Sequence, residues 1–361
     1  MRRWLVVGFL GSTAACSLIV GTDGLSGGAT GDGGAAVMAT TDAPSEAAPT
    51  TTSDASSDAC VGSGCIAPPI PPCDGPCSPV LIAMETQLKG LAADESGVYW
   101  TEPGVGDIKR ANVDGSGVTT LFDGTQAPAL LALDDTFVYW TEPNSGLVSA
   151  VRKDAVNGTR TTLSGQTDVS AIAVSNGEVF FQVRLTKQIL RSPIALTTST
   201  LVTTQAPAQV IRLAADAQYV YLGTTGPTNR VRRAPRAVVT AAPDDLTTRG
   251  ATDFRDFALD SARVYTAGGD DGVVVSEKID GTGAPITHAS GEATPVCVAV
   301  DDTYVYWADL GSGLVKRTPK AAGGAVETLA SGQAQPFAIA VNSRAVYWLN
   351  TDGAVMTIRK P

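Results

Sequence analysis

The chain has 361 residues, 17% charged and 43% hydrophobic, with 38 glycines, 21 prolines and a formal net charge of −10. That balance disfavours nucleic acid, whose phosphates require clustered Lys and Arg, and simple electrostatic adhesion to an anionic membrane. A single histidine, His288, rules out a multi-histidine metal centre and is the only imidazole available as a general base.

Residues 1–16 read MRRWLVVGFLGSTAAC. Arg2 and Arg3 form a positive start, Trp4 to Leu10 a short apolar run, and Ser12 to Ala15 are small. This is the signal-peptide pattern, and it is too short to span a bilayer. The segment Thr13-Ala14-Ala15-Cys16 resembles the lipobox of bacterial lipoproteins, with Thr13 where that family prefers Leu. The resemblance implies that residues 1–15 are removed, that Cys16 is acylated, and that the membrane partner is reached through this lipid. Ser17, in place of Asp, implies the outer membrane by the same resemblance to Gram-negative lipoproteins.

Residues 16–59 are mostly Gly, Ala, Thr, Ser and Asp, and are expected to form a disordered tether because they cannot bury enough apolar surface to offset ordering entropy. About 60 residues after Cys16 give a typical reach of ~40–45 Å. Residues 60–77 form a Cys/Pro-rich neck with Cys60, Cys65, Cys73 and Cys77. Their spacing does not resemble the close ligand pairs of zinc sites. They are disulfide candidates for an oxidising compartment, with three pairings open. Cys297, in the apolar run Pro295-Val296-Cys297-Val298, is read as a small buried side chain.

From residue 90 the sequence repeats. Val98-Tyr99-Trp100, Val138-Tyr139-Trp140, Val179-Phe180-Phe181, Val220-Tyr221-Leu222, Val264-Tyr265-Thr266, Val305-Tyr306-Trp307 and Val346-Tyr347-Trp348 stand 40, 41, 41, 44, 41 and 41 residues apart. A β-rich period of 40–45 residues indicates propeller blades. Within each unit a small apolar strand comes first, such as Leu91-Ala92-Ala93. A polar turn follows, often opened by Asp94, Asp134, Asp216, Asp260 or Asp301. The aromatic strand and two further strands complete the unit. The seventh unit lacks its fourth strand, and Pro79 to Met84 is the lone strand available to fill it. Residues 78–361 are therefore expected to form an all-β, single seven-bladed β-propeller of four-stranded blades, closed by an N-terminal strand.

Tyr99-Trp100-Thr101-Glu102, Tyr139-Trp140-Thr141-Glu142 and Tyr306-Trp307-Ala308-Asp309 resemble the YWTD repeats of low-density-lipoprotein-receptor-type propellers. That resemblance implies structural roles for Glu102, Glu142 and Asp309. The receptor propellers usually have six blades, against seven units here.

Three features bear on chemistry. Arg184, Lys187, Arg230, Arg232, Arg233 and Arg236 form the most basic sector, a candidate patch for an anionic ligand. Asp270-Asp271-Gly272 suits a hairpin turn better than calcium, which needs six to eight convergent oxygens. His288, in the outermost strand of unit 5, is expected to be exposed and inert. No metal site and no cofactor are assigned. The functional expectation is a monomeric cell-envelope binding or scaffold module with a protein or small-molecule ligand. The alternative is a propeller enzyme of lyase, lactonase or quinone-dependent dehydrogenase type. Fatty-acid labelling tests the anchor: Cys16→Ser is expected to abolish incorporation, and undiminished label would refute acylation.

Overall fold

In each repeat, short β-branched and aromatic runs are separated by Asp- and Gly-containing turns, so consecutive runs pair antiparallel. The computed structural model describes residues 77–360, apart from 205, 207–209, 226–228, 238–241 and 248–253. Cys16, Cys60, Cys65, Cys73, the tether and nearly all of the neck lie outside the described residues.

Seven four-stranded antiparallel sheets make seven blades. The opening strand β1 (Val80–Met84) precedes blade 1, which holds β2 (Leu91–Asp94), β3 (Gly97–Glu102), β4 (Asp107–Ala111) and β5 (Thr119–Phe122). Blade 2 holds β6 (Leu131–Leu133), β7 (Phe137–Glu142), β8 (Leu147–Arg152) and β9 (Thr161–Leu163). Blade 3 holds β10 (Val169–Ser175), β11 (Glu178–Val183), β12 (Gln188–Pro193) and β13 (Thr200–Thr203). Blade 4 holds β14 (Val210–Ala215), β15 (Tyr219–Thr224), β16 (Arg230–Pro235) and β17 (Asp244–Asp245). Blade 5 holds β18 (Phe254–Leu259), β19 (Arg263–Gly268), β20 (Val273–Lys278) and β21 (Ile286–Ser290). Blade 6 holds β22 (Pro295–Val300), β23 (Tyr304–Asp309), β24 (Leu314–Pro319) and β25 (Glu327–Ala330). Blade 7 holds β26 (Pro336–Val341), β27 (Ala345–Asn350) and β28 (Ala354–Arg359).

β1 supplies the missing fourth strand of blade 7 by pairing antiparallel with β28, Val80 opposite Thr357 and Met84 opposite Ala354. The ring is thereby closed by its two chain ends: β28 is covered on both sides, and short β1 takes the outer-edge place that a fourth strand holds in every other blade.

Period 2 along the second strand explains how the ring packs. In β3, Val98 and Trp100 pack into the cluster that contains Ile339 and Trp348 of blade 7. Tyr99, between them, packs into the cluster of Leu131, Val138 and Trp140 of blade 2. All three are fully buried. Each second strand thus presents one apolar face to the preceding blade and another to the following one. Truncating such a buried ring costs about 3–5 kcal/mol.

Several turns between second and third strands are built on glycine. Gly313 has φ +67°, and a Cβ there would lie 2.5 Å from the Gln333 carbonyl oxygen; at Gly146, φ +67°, the same approach is 2.0 Å, to the Gln166 carbonyl oxygen. Gly313 in turn accepts a backbone hydrogen bond from Gln333, tying the turn to the segment leaving the fourth strand.

Candidate functional site

The turns between first and second strands gather on one face of the ring, termed here the Asp-turn face. In four blades the local chemistry is the same. Asp216 Oδ1 accepts from the backbone amides of Gln218 and Tyr219, both at 2.7 Å, and Oδ2 accepts from the Tyr221 hydroxyl at 2.6 Å. Asp134 with Tyr139, Asp260 with Tyr265, and Asp301 with Tyr306 repeat this arrangement. Burial, followed by the hydrogen bond to the carboxylate, pushes these four phenols above their ordinary pKa.

A cation from the next blade closes several of these turns. The residue directly after the third strand donates its backbone amide to the neighbouring first turn of its own blade, for example Lys320 to Thr303 O and Ile279 to Ala262 O, both at 2.9 Å. Its side chain then reaches back to the preceding blade. Lys320 Nζ lies 2.8 Å from Asp260 Oδ2 and 5.5 Å from the Tyr265 ring centre. Lys360 Nζ lies 2.6 Å from Asp301 Oδ2 and 5.1 Å from the Tyr306 ring. Lys153 pairs with Asp94 and lies 5.6 Å from the Tyr99 ring. Arg236 takes the same place between blades 3 and 4, bonding Glu178 Oε2 at 2.5 Å with its guanidinium 4.7 Å from the Phe180 ring. Each is an ammonium or guanidinium held between an aromatic ring and a carboxylate.

Between blades 4 and 5 the position is Ile279; Arg236 donates to the Asp216 backbone carbonyl, but among the described residues no cationic side chain pairs with the Asp216 carboxylate. A cavity of about 350 Å³ opens there, lined by Asp216, Tyr219, Tyr221, Arg233, Asp260 and Ile279, among others. The volume is at the lower end of the range for small-ligand pockets. Arg233 forms one wall, donating to Ile279 O at 2.8 Å with its guanidinium 4.7 Å from the Tyr219 ring.

The basic sector read from the sequence does not converge. Strand alternation sends Arg230 and Arg232 to one carboxylate, Asp245, while Arg233 faces the cavity. Arg236 turns back to blade 3. Arg184 lies on the opposite face and pairs with Asp168. Lys187 occupies a second-to-third turn at φ 55°, where Gly146 and Gly313 stand in other blades. Cys77 packs against the core cluster that includes Cys297, which is fully buried on β22; both cysteines are disulfide-bonded, so Cys297 is not the unpaired buried side chain that its apolar run implied.

Glu102, Glu142 and Asp309 bind locally. Glu142 Oε1 accepts from Trp140 Nε1 at 3.0 Å and from Ser149 Oγ at 3.0 Å. Asp309 accepts from the amides of Ala293 and Thr294. Glu102 accepts from the Thr86 amide and pairs with Lys109 at 2.8 Å.

Two features were not anticipated. Arg212 on β14 and Asp256 on β18 form a buried pair, Nε to Oδ1 3.4 Å, and Asp256 Oδ2 accepts from the Val298 amide at 3.1 Å. Burial pushes the Asp256 carboxyl up to about 6 against the opposing pull of Arg212. The available signal was a charge inside an otherwise apolar first strand, Ile211-Arg212-Leu213. The second is a correction: His288 is buried, not exposed, at 7% of its surface. β21 packs against β24 of blade 6, the Tyr265 ring lies 5.6 Å away, and Nε2 shares a 2.8 Å hydrogen bond with Ser276 Oγ. Among the described residues no cluster of His, Cys, Asp and Glu is suited to a metal, and no helix is long and apolar enough to cross a membrane.

The sequence matches no family model, and no curated protein matches it either. Solved structures do resemble its fold. A streptogramin B lyase superposes with TM-score 0.64 at 11% identity, covering 79% of this chain and 98% of that one. A catalytically inactive histidine-to-alanine variant of virginiamycin B lyase from Staphylococcus aureus, solved with quinupristin, gives 0.64 at 12%, covering 79% and 99%. The WD40 β-propeller domain of Doa1 gives 0.63 at 14%, covering 79% and 98%. At these identities the likeness establishes the seven-bladed propeller, a fold that serves lyases and WD40 propellers alike.

His288 carries a pH prediction. Burial, then the nearby Arg263 charge, lowers its pKa from 6.5 to about 4. The unfolded imidazole takes up a proton that the folded one refuses until about pH 4, so acidification from 6.5 to about 4 costs stability. Urea midpoints measured across this window are expected to fall for the native chain and to fall less for His288→Gln. Identical slopes would contradict the buried, neutral imidazole.

Proposed function

We propose that this chain is a monomeric cell-envelope lipoprotein, anchored through Cys16, that displays its propeller on a tether as a binding module. Disulfide bonding stiffens the neck below it: Cys60, Cys65 and Cys73 are candidates, and Cys77, like Cys297 of the propeller, is disulfide-bonded. The binding site is the cleft between blades 4 and 5 on the Asp-turn face. The observation that carries this reading is the 350 Å³ cavity at an interface where Ile279 stands in the place of a bridging cation. The cleft combines an apolar wall, two tyrosine rings, an arginine and carboxylates, a mixture suited to holding a ligand by shape and a few polar contacts. The lone histidine supports binding over acid–base chemistry, because it is sequestered on an outer strand against Ser276.

A second reading, a propeller enzyme of the lyase type, is favoured by the similarity to the streptogramin B and virginiamycin B lyases. One experiment separates the two. The labelled protein is titrated with a mixed set of charged and neutral small molecules and followed by NMR, in parallel with incubation with quinupristin followed by mass spectrometry. The binding reading expects shifts clustered at Tyr219, Tyr221 and Ile279 and an unaltered antibiotic. Shifts confined to first-strand residues such as Leu91 and Ile339, or turnover of quinupristin, would contradict it.

A further inference from the structure

We infer that the blade 4–5 cleft is a seat for a primary alkylammonium group, supplied either by a lysine side chain of a partner or by a free amine. The inference rests on the binding reading above and adds to it the chemistry of the ligand.

The molecule contains the filled form of this site. Between blades 5 and 6, Lys320 Nζ sits between Asp260 Oδ2 and the Tyr265 ring, and between blades 6 and 7, Lys360 Nζ sits between Asp301 Oδ2 and the Tyr306 ring. Between blades 4 and 5 the receiving half is intact. Asp216 Oδ1 is fixed by two backbone amides, and Oδ2, held by the Tyr221 hydroxyl, faces the cavity wall that Tyr221 itself helps to form. Only the donor has changed. Ile279 has the same backbone hydrogen bond as Lys320, with a side chain that ends in methyl groups.

Two comparisons show why the seat stays open and why a cation suits it. Between blades 2 and 3, on the side of Asp134, the residue after the third strand is also an isoleucine, Ile194, with the equivalent backbone hydrogen bond. There Leu196, two residues further on, is 3% exposed and belongs to the apolar cluster that holds Tyr139. The corresponding residue after Ile279 is Gly281, which makes the same turn hydrogen bond to the carbonyl three residues earlier and has nothing within 4 Å of where a Cβ would be. The blade 4–5 site is therefore left unfilled. Nor does Arg233 preclude an ammonium. Arg110 holds the same place between blades 1 and 2, donating to Lys153 O at 2.6 Å, while the Lys153 ammonium occupies its seat on Asp94. The charges facing the cleft are Asp216, Asp280 and Asp260 against Arg233, with Lys320 engaged on Asp260. The local balance is negative, which favours a cation.

The test follows the Ile279 methyl resonances of the full chain by NMR. The probes are n-butylammonium, its neutral isostere n-butanol, a short lysine-containing peptide, and the same peptide with the lysine acetylated. Butylammonium and the lysyl peptide are expected to shift Ile279 saturably, and butanol and the acetylated peptide to leave it unmoved. Asp216→Asn is expected to weaken butylammonium binding about tenfold, the loss of one charge-assisted hydrogen bond. Ile279→Lys would supply the donor from within. Followed at the Tyr221 ring, since this variant lacks the Ile279 methyls, it is expected to abolish binding and to raise the melting temperature by about 1–4 °C, as one added partly buried ion pair should. A lysyl peptide that binds at least tenfold more tightly than butylammonium identifies a partner's lysine as the occupant, and equal affinity a free amine. Equal responses to butanol and butylammonium, or undiminished binding by Ile279→Lys, would overturn the inference. If the cleft responds only to anionic or neutral probes, the ammonium seat falls and the binding cleft stands. If no probe of any charge moves Tyr221 or Ile279, both fall.

Discussion

The ring depends on one constraint: no blade can bury its own second strand. That strand carries large side chains on both faces, so Trp100 needs blade 7 and Tyr99 needs blade 2. Apolar burial of this kind is strong but non-directional. It joins neighbouring blades without fixing their angle or how far each tyrosine hydroxyl is from water. The Asp turns supply the direction. A carboxylate held by two backbone amides receives the phenol, and in several interfaces an ammonium from the next blade completes the set. Burying a phenol and a carboxylate side by side is costly unless both are paired. The cation compensates the charge in the interfaces that have one.

From this follows the distinction between bridged and open interfaces. Where Lys153, Lys320 or Lys360 spans two blades, the Asp-turn face is sealed and its charge is neutralised internally. Where Ile279 stands and Gly281 contributes no side chain, the same carboxylate and ring face an open cleft. An open cleft of this kind needs no new architecture. It lacks one internal partner of a repeated contact, and the four interfaces that keep Lys153, Arg236, Lys320 or Lys360 define what is missing.

Much of the fold was legible in the sequence. The steady spacing of the Val-Tyr-Trp strands gave the blade count, and the short seventh unit together with the lone apolar run at 79–84 gave the closure seen in the β1–β28 pairing. The site was much less legible. Lys320 and Asp260 are 60 residues apart and Lys360 and Asp301 are 59 apart, each pair in consecutive repeats, so a reading within one repeat cannot join them. The arginines of β16 look like one patch in linear order, but period 2 separates Arg232, on Asp245, from Arg233, in the cleft. His288 was misplaced for a related reason. A fourth strand is outermost within its own blade, yet its inward alternation faces the Tyr265 ring and the adjacent blade.

The central claim is that the Asp–Tyr–ammonium contact is an energetic link between blades, present at blades 5–6 and absent at blades 4–5. A double-mutant cycle measures it most directly. Asp260→Asn and Lys320→Met, alone and together, should show a coupling of about 0.5–1.5 kcal/mol in urea unfolding, while Asp216→Asn with Ile279→Met should show none beyond error. Equal coupling at the two interfaces, or none at blades 5–6, would contradict the account.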